Sequence, residues 1–222
     1  MNVLPVLYSF RRCPYAIRAR YVIAVLGVYV SLREVILKSK PEELLSLGGR
    51  SSVPQLIDVD GSRYPESLDI IFWAISRAAD NPLKDSLWSS QVKTQHNIKA
   101  WIKYNDHFFK CWLDRYKYAD RHPEFSERYY RNKGEVFLRR LDARLAKKVF
   151  LFGNTASIAD IAVFPFVRQF AAVDQAWFDH SEYNNIKTWL AGFLESEVFK
   201  TVVMAKYTAW EPRQKEILFP AS

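Results

Sequence analysis

The alternation of short apolar runs with helical segments in the first third of the chain restricts the fold more than any other sequence feature. Residues 3–10 predict a buried strand. Residues 14–26 carry apolar side chains close to helical spacing until Gly27 ends the segment. Residues 28–37 predict a second strand, and residues 40–47 a short helix. A strand, a helix and another strand in this order are typical of a parallel βαβ unit.

A hairpin and one more helix complete this first region. Residues 54–59 and 62–64 flank Asp60–Gly61, a dipeptide that favours the tight turn of a β-hairpin. A further helix is predicted at residues 67–79. The resulting order, β-α-β-α-β-β-α, is that of a thioredoxin-like α/β domain, to which we assign residues 1–79.

The remainder of the chain has helical periodicity almost throughout. Turn-forming residues interrupt the pattern, so we place a linker at residues 80–88 and an all-α domain at residues 89–222. Ser157 followed three residues later by Asp160 predicts an N-terminal capping box. The expected architecture is therefore a thioredoxin-like domain followed by an all-helical domain. Helices are predicted at residues 89–119, 125–146, 158–173, 186–195 and 197–208.

Charge and cysteine content exclude several classes of protein. The formal net charge is +8. Most of the excess falls in residues 103–148, where basic residues mix with acidic ones. Mixed charge on helices is typical of a solvated face, so nucleic acid is a disfavoured partner.

Two cysteines do not make a disulfide framework, and no apolar run approaches the ~18 residues of a membrane span. We expect a cytoplasmic protein with no membrane partner. The four histidines lack metal-ligand spacing, so no metal is expected.

Cys13 lies where the first strand gives way to the first helix. A thiol at a helix N-terminus faces unpaired backbone N–H groups and the positive end of the helix dipole. Pro14 suits the first helical position because its missing N–H is not needed there. Together with Arg11 and Arg12, these effects favour a reactive thiolate at Cys13. A buried, inert cysteine before a proline is the alternative.

The residue three positions after Cys13 decides what kind of thiol chemistry is open to it. A second cysteine there would allow an intramolecular disulfide, but the sequence has Ala16. Cys13 is thus expected to form mixed disulfides that an outside thiol resolves. Cys111 lies within a helical segment among aromatic residues and is expected to be an inert buried thiol.

Two more segments suit a ligand beside Cys13. Pro54 precedes the third strand, where a thioredoxin-like layout predicts a cis bond that presents the Val53 backbone beside the thiol. A peptide ligand could pair with that backbone as a short strand would. At the start of the next helix, Ser67 is a good N-cap whose neighbouring N–H groups can bind a carboxylate, and Glu66 can pair with an ammonium. Ordinary capping is the alternative for that pair.

These motifs together resemble the cytosolic glutathione transferase superfamily. The likeness is strongest to its cysteine-type branches, the omega class and the two-domain glutaredoxin-2 type, although Ala16 departs from the dithiol motif of the latter. The motifs that carry the resemblance are Cys13–Pro14–Tyr15–Ala16, Lys40–Pro41–Glu42, Val53–Pro54, Glu66–Ser67 and the capped Ser157–Asp160 helix start.

The resemblance implies roles for the matching positions, with glutathione as a substrate. Cys13 is implied to be the nucleophile, and Val53 with Pro54 the contact to the cysteinyl group. Glu66 and Ser67 are implied to bind the γ-glutamyl end. Lys40 matches an omega-type lysine near the glycyl carboxylate. A homodimer is possible within this superfamily, as is a monomer.

A second-substrate pocket between the two domains is also expected, for a small disulfide or an electrophile. Its predicted lining is Tyr15, Trp101, Tyr104, Phe108 and Trp112. Three activities remain open at this stage. They are thiol transfer, conjugation assisted by a hydroxyl such as Tyr8 or Ser9, and a non-enzymatic adaptor that binds a protein partner such as transcription machinery.

Overall fold

A computed structural model describes residues 3–80 and 82–221 as two compact units. The first unit comprises Met1–Lys84 and Ser196–Ser222, and the second comprises Asp85–Glu195. No helix in the described ranges is long and apolar enough to cross a bilayer.

The first unit is built on a five-stranded sheet flanked by helices. The elements are β1 (Val6–Ser9), α1 (Pro14–Leu26), β2 (Val30–Glu34), α2 (Glu42–Ser46), β3 (Gln55–Ile57), β4 (Arg63–Tyr64), α3 (Ser67–Arg77) and β5 (Ile217–Phe219). The predicted β-α-β-α-β-β-α order is confirmed. The strand order in the sheet is β4-β3-β1-β2-β5, with β1 and β2 parallel and the other pairs antiparallel.

Local chemistry explains the bounds of α1. Pro14 occupies the first helical position, and Cys13 is the N-cap residue, with extended backbone angles. The helix ends at Gly27, whose φ of 64° lies in the left-handed region that glycine adopts without steric cost. The predicted helix of residues 14–26 is therefore observed with the same bounds.

The C-terminal segment departs from the expected all-α domain of residues 89–222. Residues 196–222 belong to the first unit, and their strand β5 pairs with β2 through Val30 opposite Phe219. Phe219 is fully buried, and the π-helical segment Val198–Val203 packs on α1. Covering the β2 edge satisfies its backbone groups and buries an apolar anchor, which helical periodicity alone does not reveal.

The second unit is helical, and α4 (Pro82–Leu87), which begins inside the expected linker of residues 80–88, runs from the last residues of the first unit into it. One continuous helical run replaces the single helix predicted at residues 89–119. It consists of α5 (Val92–Tyr104), a π-helical turn (Asn105–Phe109) and α6 (Lys110–Lys117). The helices are α4 (Pro82–Leu87), α5 (Val92–Tyr104), α6 (Lys110–Lys117), α7 (Glu127–Leu145), α8 (Ile158–Ala171), α9 (Gln175–His180) and α10 (Asn184–Glu195), with a 3-10 turn at Ala119–Arg121.

The buried helix α8 forms the centre of the second unit. Ser157 and Asp160 make the predicted capping box at its start. The fully buried Asp160 carboxylate also accepts hydrogen bonds from Leu151 N at 2.9 Å and from Trp189 Nε1 at 3.1 Å. One carboxylate therefore ties the helix start to the preceding loop and to α10.

Candidate functional site

Cys13 lies at the N-terminus of α1 and contacts the segment before β3. Its Sγ is 3.5 Å from the Val53 carbonyl oxygen, to which the thiol donates. The Val53–Pro54 peptide bond is cis, as predicted. Cys13 N donates to Phe10 O at 2.9 Å, which fixes the turn between β1 and α1. Cys13 is partly exposed. The structure thus sets a partly accessible sulfur against a backbone carbonyl at a helix N-terminus.

The segment of residues 50–53 contacts most of the residues predicted for the ligand site. Beside the Cys13 contact at Val53, Lys40 Nζ donates to Ser51 Oγ at 3.2 Å. One residue earlier, Arg50 pairs with Glu66 at 3.1 Å. Residues that are far apart in sequence therefore meet along one short stretch of backbone. Because the Arg50–Glu66 pair is well exposed, it stabilises the fold by only about 0–1 kcal/mol and can exchange for a ligand charge.

The start of α3 differs in one respect from the sequence prediction. Glu66, not Ser67, is the N-cap: its backbone is extended, and its side chain and that of Asp69 form a reciprocal capping box. Ser67 is already the first helical residue and is buried. Ser and Thr usually lead at this position, but here an acidic residue accepts the backbone N–H, so that Ser67 is the first helical residue and not the cap.

Two further residues, Arg63 and Gln55, hold the loop before Val53 in place. Neither was predicted as a site residue from the sequence. Arg63 on β4 donates from Nη1 to Leu47 O at 2.7 Å and from Nη2 to Arg50 O at 3.1 Å. Its Nε donates to Gln55 Oε1 at 2.9 Å. The fully buried Gln55 amide in turn donates to Arg50 O at 2.7 Å and to Ser52 O at 2.8 Å. The available signal was two polar side chains on neighbouring hairpin strands, where Gln55 lies two residues before Ile57, the cross-strand partner of Arg63.

Glu34 of β2 supports the turn between β1 and α1 that carries Cys13. Its Oε1 accepts from the Arg11 backbone N–H at 2.6 Å, and its Oε2 lies 3.4 Å from Nη1 of the fully buried Arg20. Burial raises the pKa of Glu34, while the Arg11 N–H and Arg20 oppose that shift. Trp210 N donates to Glu34 O at 2.8 Å, so the C-terminal segment is bonded to the same strand end.

The hydroxyls considered for conjugation lie inside β1. Tyr8 is buried, and its Oη accepts from Arg33 Nη1 at 2.8 Å. Burial raises the pKa of Tyr8, and Arg33 opposes the shift. Ser9 is fully buried. Burial leaves both hydroxyls with little surface for a ligand's thiolate to approach.

The residues predicted for a second-substrate pocket are divided between the two units. Tyr15 belongs to the first unit, where the Arg18 guanidinium lies 5.0 Å from its ring centroid. Trp101 and Tyr104 line a cavity of about 360 Å³ within the second unit. Phe108 stacks on Tyr104, and Trp112 packs instead against the rings of Tyr129 and Tyr130. The pocket between the two domains stays a prediction.

In residues 3–80 and 82–221, no three His, Cys, Asp or Glu side chains come together in a way that could hold a metal ion.

Comparisons with known proteins agree with this geometry. Residues 7–82 match the family model of the glutathione S-transferase N-terminal domain, and residues 135–192 match that of the C-terminal domain. Glutaredoxin 2 of Escherichia coli (strain K12) is 30% identical over 112 residues, which cover 50% of this chain and 48% of that protein. The match thus spans about half the length of either chain.

Solved structures share the fold at low identity. A glutathione transferase family member from Pseudomonas fluorescens Pf-5, solved with two glutathione bound, superposes with a TM-score of 0.73. It is 18% identical, and the match covers 87% of this chain and 89% of that one. A glutathione S-transferase from Methylobacillus flagellatus KT, solved with GSH bound, gives a TM-score of 0.70 at 24% identity. That match covers 88% of this chain and 97% of the other.

The thioredoxin-like sheet and the helical unit that follows it define the class of the protein as one with the two-domain glutathione transferase fold. The two family models together cover more than half of the chain. The protein belongs to the glutathione S-transferase superfamily.

Proposed function

We propose that this protein is a glutathione-dependent thiol transferase of the cysteine type, with Cys13 as its only nucleophile. The observation that carries the proposal is the Cys13 Sγ to Val53 O contact at the N-terminus of α1. It places a thiol where helix N–H groups favour the thiolate and where a peptide backbone is available to a cysteinyl ligand. The likeness to Glutaredoxin 2 and to glutathione-bound relatives supports the same activity.

The proposed reaction has two exchange steps. The Cys13 thiolate attacks the glutathionyl sulfur of a mixed disulfide, the old S–S bond breaks, and the other thiol leaves as its thiolate. A second glutathione thiolate then attacks the Cys13–glutathione disulfide, which releases oxidised glutathione and regenerates Cys13. The sum of the two steps exchanges one disulfide for another: the substrate's other thiol is released, and the entering glutathione becomes half of the oxidised glutathione. Ala16, fully buried three residues further on, offers no second thiol, so the resolving thiol comes from solution.

The contacts of residues 50–53 suit glutathione. The Val53 backbone faces the cysteinyl part, and Lys40, held near Ser51, supplies a cation for the glycyl carboxylate. Glu66 and the N–H groups at the start of α3 suit the γ-glutamyl ammonium and carboxylate. These contacts support glutathione, a tripeptide, as the ligand bound beside Cys13.

The test compares the chain's two cysteines. Replacing Cys13 with Ser is expected to reduce turnover with glutathione and a small disulfide by at least about 100-fold, because the nucleophile is lost. The matched control Cys111→Ser removes the other free thiol and is expected to keep full turnover. Mass spectrometry after exposure to oxidised glutathione is expected to find one glutathionyl group, on Cys13. Undiminished turnover of the Cys13 variant would refute the mechanism.

A binding measurement separates the enzyme from the adaptor alternative. The Cys13→Ser variant is expected to be retained on immobilised glutathione, since the backbone and charged contacts remain. A wild-type chain that passes through unbound and shows no thiol transfer would favour an adaptor instead.

A further inference from the structure

Glu34, at the end of β2, joins three parts of the first unit. Its side-chain Oε1 accepts the Arg11 backbone N–H at 2.6 Å, in the turn that leads into α1. Its backbone carbonyl accepts the Trp210 N–H at 2.8 Å, from the C-terminal segment. Hydrogen bonds from a backbone N–H to a carboxylate are among the stronger ones in proteins. The residue therefore connects the turn before Cys13 to β2 and to the C-terminal segment.

A buried cation fixes the Glu34 carboxylate in its place. Arg20 Nη1 lies 3.4 Å from Glu34 Oε2, and the Arg20 side chain is fully buried while that of Glu34 is 11% exposed. The Arg20 guanidinium lies 5.2 Å from the Tyr207 ring centroid and 5.4 Å from that of Phe219. Both rings belong to the C-terminal segment. Because the pair is enclosed in this way, the carboxylate has little freedom to turn away from the Arg11 N–H.

The turn that Glu34 contacts sets the direction of the thiol. Cys13 is the N-cap residue of α1, and its backbone N–H donates to Phe10 O at 2.9 Å. Arg11 lies between these two residues, so its bond to Glu34 fixes the middle of the turn. The N–H groups of the first helical turn stabilise a thiolate only when the sulfur faces them. A turn with freer backbone angles would spread the sulfur over several positions and weaken that stabilisation.

We propose that Glu34 is a positioning residue for the Cys13 thiol: its carboxylate fixes the Arg11 amide and thereby holds the sulfur at the start of α1. The inference rests on the proposed function of Cys13 and adds a residue that acts through the backbone of the turn. The property that matters is the hydrogen-bond acceptor and not the negative charge. A neutral acceptor at position 34 therefore supports the thiol, whereas a side chain without an acceptor does not.

The test compares two double variants in a Cys111→Ser background, where Cys13 is the one thiol left. Arg20→Met with Glu34→Gln removes the buried charges and keeps an acceptor for the Arg11 N–H. Arg20→Met with Glu34→Met removes the charges and the acceptor. Alkylation by iodoacetamide over a range of pH is expected to give the Gln variant the same midpoint as the parent chain. The Met variant is expected to have a midpoint about one pH unit higher and about tenfold lower turnover with glutathione and a small disulfide at pH 7.

Two further measurements guard against an effect on folding alone. Glu216→Gln breaks the ion pair with Arg33 at 3.8 Å and is expected to leave the alkylation midpoint unchanged. Circular dichroism checks that each variant is folded. If the Met variant does not fold, hydrogen exchange in the wild-type chain decides instead. The Arg11 amide is then expected to exchange at least about tenfold more slowly than in an unstructured peptide.

The outcomes separate this inference from the proposed function. The positioning role is overturned if the Gln and Met variants share one alkylation midpoint, or if the Arg11 amide exchanges at the peptide rate. Such a result leaves thiol transfer by the wild-type chain intact. A wild-type chain without thiol transfer would instead refute the proposed function. The positioning role would still be supported in that case by a higher alkylation midpoint in the Met variant.

Discussion

The two capping boxes of the molecule share a local pattern and differ in burial. At the start of α8, Ser157 and Asp160 are almost fully buried, and Asp160 bonds to the helix start, a loop and another helix. At the start of α3, Glu66 and Asp69 are exposed, and outside its own box Glu66 pairs with the exposed guanidinium of Arg50.

The difference separates structural from binding roles. A buried carboxylate with four donors has no capacity left for a ligand, and removing it leaves those donors unsatisfied. An exposed cap contributes modestly to stability and keeps its charge available to solutes. The same helix-start chemistry thus supports the core of the second unit and the candidate glutathione site of the first.

The largest expected effect is on the buried box. Asp160→Ala removes the acceptor for Leu151 N, Ser157 N and Trp189 Nε1, and is expected to lower the free energy of unfolding by about 3–5 kcal/mol. Urea denaturation followed by circular dichroism measures this. A loss below about 1 kcal/mol would contradict the larger contribution of the buried box to stability.

The next effect concerns the loop that faces the exposed box. Arg63→Met removes the donors that hold Leu47 O and Arg50 O, and is expected to cost about 1–3 kcal/mol of stability. The KM for glutathione is expected to rise about tenfold, with kcat changed less than about twofold, because the loop positions the ligand and not the thiol. Arg77→Met, which breaks the ion pair between Arg77 on α3 and Asp58 after β3, is the matched control and is expected to leave KM unchanged.

The pH dependence of stability gives a third distinction between the boxes. Burial raises the pKa of Asp160, against the opposing hydrogen bonds from Leu151, Ser157 and Trp189. A carboxyl whose pKa is higher in the folded state contributes fully below its unfolded value of about 4 and loses that contribution as pH rises through the raised pKa. Asp160→Asn is therefore expected to remove part of the decline in unfolding free energy above pH 4. Asp69→Asn keeps Asp160 and is expected to retain that decline. Equal slopes of unfolding free energy against pH in the two variants would contradict Asp160 as the cause of the decline.

The smallest expected effect is on the exposed box. Asp69→Ala removes the side chain that accepts from Glu66 N at 3.2 Å, and is expected to cost about 0.5–1 kcal/mol. The same denaturation experiment measures it. A loss as large as that of Asp160→Ala would mean that solvent does not replace the missing acceptor at the start of α3.

The sequence was most informative where local chemistry decides the outcome. The bounds of α1 follow from Pro14 and Gly27, and the α8 capping box from the Ser157–Asp160 spacing. The contact between Cys13 and Val53 was anticipated because a thioredoxin-like order of elements brings the end of β1 to the start of β3. The N-cap of α3 was misplaced by one residue, since Glu66 and Ser67 can both accept a backbone N–H and only the backbone angles decide between them.

The residue pattern was enough to predict the order of elements in residues 1–79 and the thiol at a helix start, and it has Ala16 where a second thiol would be needed. Each depends on residues that are near one another in the chain. Only the tertiary structure decided that β5 pairs with β2, that Arg63 and Gln55 hold the loop before Val53, and that Arg140 and Arg144 face Trp101 and Tyr104 in one cavity. The physical reason is that pairing and burial depend on contacts between residues distant in sequence. Helical and strand periodicity shows which face of an element is apolar, but not which element covers it.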